Sequence, residues 1–235
     1  MNDHSLHNWT AEQIKSFWDY ESNFPQNYWG RNCSKAFKRQ FGKLIKNSKT
    51  IVDLGCGSGD LMHALLIDSR SQQTFFGIEP SINSRQTAES LCNKFSNFLG
   101  CFDSVDSFLK NHPQPDLIIV SEVVEHLYDE DLKGLFSDVL RLMSEKTTLI
   151  ITTPNEENLS DNYIYNPIDG SLFHRWQHVR SWSAKSLSKF LKDNGIASVE
   201  TVETNILWNN SHLLKNLVRR FRYRERTSLF CIARR

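Results

Sequence analysis

Asp53 and the three glycines that follow it, Gly55, Gly57 and Gly59, carry the clearest chemical signal in the chain. An apolar pair, Ile51-Val52, leads into the acid, and an amphipathic stretch, Leu61 to Leu66, follows the Gly55-Cys56-Gly57-Ser58-Gly59 turn. A buried strand feeding a glycine turn and then a helix is where an open α/β sheet holds a nucleotide-like ligand. Glycine lets the backbone approach that ligand and adopt φ angles other residues resist. The spacing discriminates between ligands. Dinucleotide sites use G-x-G-x-x-G to bring a pyrophosphate to a helix N-terminus. Here the third glycine comes one residue early, and Asp53 suits a cationic amine better than a phosphate. The ligand implied has an amino group and no pyrophosphate.

A second group of reactive residues lies in Ser121-Glu122-Val123-Val124-Glu125-His126. If the chain turns helical there, Glu122, Glu125 and His126 stand at i, i+3 and i+4 on one face. Two carboxylates and an imidazole could then bind a divalent cation, Mg²⁺ by their oxygens or Zn²⁺ or Mn²⁺ by the imidazole. The same residues could instead orient the loop and a bound ligand without a metal. Further on, Phe173-His174-Arg175-Trp176-Gln177-His178 brings two more histidines. A histidine near its ordinary pKa suits proton removal from a hydroxyl, which makes His126 and His174 candidate bases. His178 reads as an acceptor-side residue or, with Trp182, as an anchor of its own loop.

The run Asp53 to Gly59, D-L-G-C-G-S-G, resembles motif I of the class I S-adenosylmethionine (SAM) dependent methyltransferases. The likeness covers residues 45–235. The acid-histidine run and the later histidine segment are similar to the subgroup of ubiquinone-biosynthesis O-methyltransferases and glycan or natural-product enzymes. The resemblance implies roles for individual residues. Asp53 would bind the methionine ammonium, with the backbone of Gly55, Cys56, Gly57 and Gly59 against that moiety. Glu79, in Gly77-Ile78-Glu79-Pro80-Ser81, would accept from both ribose hydroxyls. Asp103 would accept from the adenine amine beside Phe102, or else cap a helix. Ser121 and Glu122 would border the methionine end. The similar E-x-x-E-H run of the ubiquinone enzymes implies metal assistance through Glu122, Glu125 and His126. Small-RNA 2′-O-methyltransferases share that run, but the chain lacks their Arg-His-x-Asp-His signature and a separate RNA-binding domain. The expected acceptor is therefore a hydroxyl of a small molecule or glycan intermediate, and nucleic acid is not expected. N- or C-methylation in the same pocket, or a SAM-binding pseudoenzyme or partner subunit, are the alternatives.

These residues need elements to hold them. Strands are predicted at 50–54, 74–79, 98–102, 116–121 and 147–153, with helices at 84–94 and 129–142 between them. Strands separated by helices argue a Rossmann-like, doubly wound α/β sheet. Residues 155–181 read as a long loop, 183–194 as a helix capped by Ser183 and ended by Gly195, and 197–204 and 226–234 as the last strands. The resemblance implies seven strands with the last antiparallel. Before the sheet, Thr10 and Gln13 form a capping box for a helix to Glu21, and a second helix is expected over 33–47. The aromatic turn between them, with Tyr28 and Trp29, suggests a lid over the ligand mouth or simple packing on the sheet. The expected organisation is an N-terminal helical lid, 1–47, and a methyltransferase domain, 48–235. Within that domain, 155–182 and 205–225 would be acceptor-side insertions.

Length and composition fit one domain with a sizeable core. A net charge of +1 gives no overall pull toward nucleic acid or membrane. The five cysteines are scattered with no C-x-x-C pair, which fits a reducing compartment. A polar N-terminal segment and the lack of a long apolar run make cytoplasmic the expectation. Over 212–226, Leu213, Leu214, Leu217, Val218 and Phe221 form a helical stripe beside Lys215, Arg219, Arg220 and Arg222. It reads as a cap helix with a solvated face, or as a surface for an anionic substrate or acidic lipid.

Overall fold

Alternation along the strands sends apolar side chains to both faces of one sheet, so helices must cover each face. The structure is a computed structural model describing residues 5–205 and 227–235. Its elements are α1 (Ala11–Glu21), α2 (Trp29–Asn47), β1 (Thr50–Leu54), α3 (Asp60–Ile67), β2 (Thr74–Ile78), α4 (Ile82–Cys92) and β3 (Phe98–Phe102). Then come α5 (Val105–Leu109), β4 (Leu117–Ser121), α6 (Asp129–Leu142), β5 (Thr148–Pro154), β6 (Tyr163–Tyr165), β7 (Leu172–His174), α7 (Ala184–Asp193), β8 (Ser198–Thr204) and β9 (Ser228–Arg234).

The main sheet runs β3-β2-β1-β4-β5-β9-β8. Strands β1 to β5 are parallel, and β9 is antiparallel to both β5 and β8. One face packs Phe37, Phe41, Leu61 and Met62, from α2 and α3, against Ile51, Phe75 and Ile119. The other packs Phe108, Phe136, Val139, Leu187 and Leu191, from α5, α6 and α7, against Val52, Ile118, Val120 and Ile151. Fully buried phenylalanines such as Phe37 and Phe136 each contribute about 1.5–3 kcal/mol by leaving water. The order reverses between β1 and β4, so the carboxyl ends of these strands open a crevice.

Helix ends follow their sequence signals. Thr10 and Gln13 make the expected capping box, and Ser183 caps α7. Three expectations need correction. Helix α2 begins at Trp29 rather than Cys33, because Tyr28 already has extended cap geometry. The loop after β5 contains the antiparallel β6–β7 hairpin; its turn signal, Asn166-Pro167-Ile168-Asp169-Gly170, is plain in the sequence. After β4 the chain makes a turn at 124–126 instead of a helix. The stripe at 212–226 lies outside the described residues. No described helix is long and apolar enough to cross a membrane.

Candidate active site

The sheet register brings Asp53 in β1 beside Gly77 in β2 and Ile119 in β4. Asp53 is buried, and burial together with the Glu79 carboxylate raises its pKa to about 7. After it, Gly55, Gly57 and Gly59 take φ angles of 78°, 51° and 77°, a region that costs other residues about 1–2 kcal/mol. The Gly55 N–H donates to Ile78 O at 2.8 Å, folding the turn back over β2. A side chain at Gly55 or Gly59 would meet Val123 at 2.8 Å or Ala88 at 2.9 Å, whereas above Gly57 the nearest atom is Tyr28 Cε1 at 3.8 Å. The turn therefore packs tightly at its ends and leaves room in its middle.

Glu79 follows β2, half-buried. Its Oε2 accepts from the Gly57 N–H at 3.1 Å and its Oε1 from the Ser81 N–H at 2.9 Å. Burial pushes its pKa up against those hydrogen bonds. The sulfurs of Cys56 and Cys101 lie 3.5 Å apart, both over Gly77, where any Cβ would come within 2.7 Å of each. Phe102 sits among Phe76, Phe108 and His112. Asp103 is exposed; its Oδ1 accepts from Ser107 Oγ at 2.5 Å and Ser104 Oγ at 3.0 Å. Ser104, not Asp103, is the N-cap of α5. Of the two aromatics before α2, Tyr28 lies over Gly57, and burial lifts its phenol to about 12. Trp29 packs edge-on against Phe37 in the core.

The acid-histidine run differs from the expected helical trio. Glu122 has a left-handed φ of 53°, and its carboxylate, though close enough to Glu125 to raise that group's pKa, does not join Glu125 and His126 in a ligand set. Ligand atoms of Glu125, His126 and His178 instead lie within 4.8 Å of one another, as do those of Glu157, His174 and His178. Among the described residues these are the two sets with metal-ligand geometry, and Glu122 belongs to neither. The Val179 N–H donates to Glu125 O at 2.9 Å, which ties the histidine segment to the turn. Glu125 is buried; Thr153 Oγ1 donates to its Oε2 at 3.0 Å, while its Oε1 and His126 Nδ1 are buried without hydrogen bonds. Burial raises Glu122 to about 7 and holds Glu125 well above the usual carboxylate range. His126 falls to about 3 through burial and the neighbouring His178, so its imidazole is neutral with a lone pair available. Ser121 Oγ and Thr152 Oγ1, 2.9 Å apart, close the floor between β4 and β5.

Sequence reasoning missed Glu157. Burial opposes its charge, but hydrogen bonds to His174 and His178 bring it down to about 2. Its position in a polar Asn155-Glu156-Glu157 stretch resembled a solvated loop. His174 is buried, its Nδ1 accepting from the Trp176 and His178 N–H groups and its Nε2 3.2 Å from Glu157 Oε1. Three residues around this cluster, Glu122, Glu156 and Gln177, are the non-glycine positions with positive φ among the described residues. Local strain of about 1–3 kcal/mol each persists where the surroundings fix it.

Helix α1 crosses the open ends of these strands. The Trp18 ring meets His126 edge-on at 4.8 Å, and its Nε1 donates to Gln177 Oε1 at 3.1 Å. Ser81 Oγ donates to Asp19 Oδ1 at 3.3 Å. The helix thus spans from the end of β2 to the histidine cluster.

Comparison with known proteins gives these elements a context. The family model described as "Methyltransferase domain" matches residues 25–201. A small RNA 2′-O-methyltransferase of Arabidopsis thaliana is 31% identical over 119 residues, 47% of this chain but only 12% of that protein's length. A SAM-dependent methyltransferase from Archaeoglobus fulgidus superposes with a TM-score of 0.59 at 20% identity, over 93% of this chain and 99% of that one. The methyltransferase domain of bacterial CtHen1-CN gives 0.56 at 18% identity, over 86% and 97%. At those identities the two structures attest the shared fold.

Proposed function

The chain belongs to the SAM-dependent methyltransferases, and from that we propose that it methylates a hydroxyl, with a divalent cation held by Glu125, His126 and His178. The observation that carries this reading is the convergence of those ligand atoms, with buried unbonded lone pairs on Glu125 and His126. The residues fit the cofactor as well: Asp53 is a buried acid whose charge no described cationic side chain offsets, and Gly57 leaves a gap of one carbon's width before the Tyr28 ring.

Asp53 holds the ammonium, Glu79 the ribose hydroxyls, and the Gly55–Gly59 backbone, Cys56 included, lies along the methionine portion. Phe102 and Asp103 sit at the adenine end, Ser121 and Glu122 at the methionine end. When bound, SAM supplies an activated methyl group and the cation supplies charge that lowers a hydroxyl's pKa. The chain's own residues do the rest. Trp18 and Tyr28, in the described part of the proposed N-terminal lid, exclude water. Neutral His126 is placed to orient the acceptor oxygen, and the raised carboxyl of Glu122 to take its proton near pH 7. His174, whose Nδ1 accepts two backbone N–H groups and whose Nε2 faces Glu157 at 3.2 Å, is the less favoured base.

The acceptor pocket is assigned to 155–182; the other expected acceptor-side segment, 205–225, lies largely outside the described residues. A small-molecule or glycan hydroxyl is the first reading. A ribose 2′-hydroxyl is the second, favoured by the Arabidopsis relative; the expectation against nucleic acid has no support in the comparisons. Labelled methyl transfer from SAM into phenols, sugar intermediates and short RNAs decides between them. Label stable to base on an oxygen atom is the expected product, whereas label on nitrogen or carbon would overturn O-methylation.

Asp53 also makes cofactor binding pH-dependent. Its folded pKa of about 7 exceeds the unfolded ~3.9, so the ligand-free protein loses stability as pH rises between those values. Binding an ammonium favours the carboxylate and releases a proton. Affinity for SAM should rise through pH 5.5 to 7 and level off, until the ligand's own amine deprotonates near ~8. Calorimetry in two buffers of different ionisation enthalpy reads the proton; a flat profile would remove Asp53 from the ammonium site.

A further inference from the structure

We propose that Glu157 is a positioning residue that fixes the tautomer of His178, resting on the reading above that His178 is a metal ligand. The hydrogen-bond inventory leaves little freedom. His174 Nδ1 accepts two backbone N–H groups, from Trp176 at 3.2 Å and His178 at 3.1 Å. Its proton is therefore on Nε2, which faces Glu157 Oε1 at 3.2 Å. Asn162 Nδ2 donates to the same oxygen at 3.0 Å. The other oxygen, Oε2, stands 2.5 Å from His178 Nδ1. An ionised carboxylate only accepts, so His178 carries its proton on Nδ1. The nitrogen left for Glu125 and His126 is Nε2, with its lone pair bare.

The His174 and His178 rings stack at 4.4 Å with 17° between their planes, so one carboxylate reaches both edges. Glu156, with φ 48° and its N–H bonded to Trp182 O at 2.7 Å, sets the backbone from which Glu157 turns inward. The set Glu157–His174–His178 is accordingly a clasp rather than a second metal site: both carboxylate oxygens already accept hydrogen bonds, Oε1 from Asn162 and Oε2 from His178 at 2.5 Å. Carboxylate-to-histidine bonds of this kind fix the ring and raise the basicity of its far nitrogen.

Glu157→Gln is the discriminating variant. An amide offers one acceptor and one donor edge, so it cannot accept from both rings. His178 then accepts at Nδ1, its proton moves to Nε2, and the ligand lone pair is lost. Two readouts follow this, nitrogen-15 NMR of the histidine rings and Mn²⁺ titration by electron paramagnetic resonance. The wild-type protein should show His178 protonated on Nδ1. E157Q should shift it to Nε2 and weaken Mn²⁺ roughly 10–100-fold, with SAM affinity within twofold. E157D, which keeps the acceptor, should restore the Nδ1–H form and part of the Mn²⁺ affinity. A wild-type His178 protonated on Nε2, or an E157Q protein with unchanged tautomer and Mn²⁺ affinity, overturns the proposal. If the wild-type protein binds no Mn²⁺ yet shows the Nδ1–H ring, the metal reading fails and the clasp stands. If E157Q does not fold, the wild-type and E157D spectra still decide it.

Discussion

Alanine at His126 should lower methyl transfer by about 10²–10⁴-fold, the range for losing a positioned acid-base or ligand group, while SAM affinity stays within twofold. The expectation rests on where the imidazole lies. His126 is bracketed by Glu125, by His178 at 4.8 Å between ring centroids and by the Trp18 edge, also at 4.8 Å, and none of these belongs to the glycine turn. Removing the ring leaves a cavity under Trp18, so the thermal midpoint must be measured alongside. Asparagine at the same position keeps a polar group and controls for packing. A His126→Ala protein with unaltered turnover would place the chemistry elsewhere in the crevice.

Alanine at Glu79 should act on the other half of the site. Two charge-assisted hydrogen bonds to ribose, at about 1.5–3 kcal/mol each, put the loss of SAM affinity at two orders of magnitude or more. The structure adds a second contribution. Glu79 already accepts from the Gly57 and Ser81 N–H groups, so the substitution also frees the glycine turn from the end of β2. Glutamine keeps the side-chain length and one acceptor edge, and should recover part of the loss. Calorimetry measures both; affinity of E79A within threefold of the parent would mean that the ribose lies away from β2.

The cofactor half of this site was legible because it is local. Asp53, the glycines and Leu61–Leu66 lie in one strand-turn-helix, and Glu79 falls where the next apolar run ends. The histidine half is assembled through space. Nothing in the spacing of Glu125 and His178 announces that the Val179 N–H bonds to Glu125 O. The helical trio failed for a related reason: i, i+3, i+4 spacing presumes a helix, but Glu122 turns left-handed and α6 waits until Asp129. Glu157 was invisible because a half-buried acid is recognised by its partners, and both partners come from the far side of a hairpin that was read as loop. The alternative reading of Asp103 as a helix cap missed by one residue, since serine at 104 closes the capping box with Ser107 and leaves Asp103 outside it.

The most direct measurement is methyl transfer from labelled SAM before and after exhaustive chelation, on protein shown by calorimetry to retain the cofactor site. With Glu125, His126 and His178 holding a cation, the chelated protein should still bind SAM, should transfer no label to a hydroxyl acceptor, and should recover when Mg²⁺ or Mn²⁺ is returned. Full turnover in the chelated protein would contradict a metal-assisted reaction at that cluster.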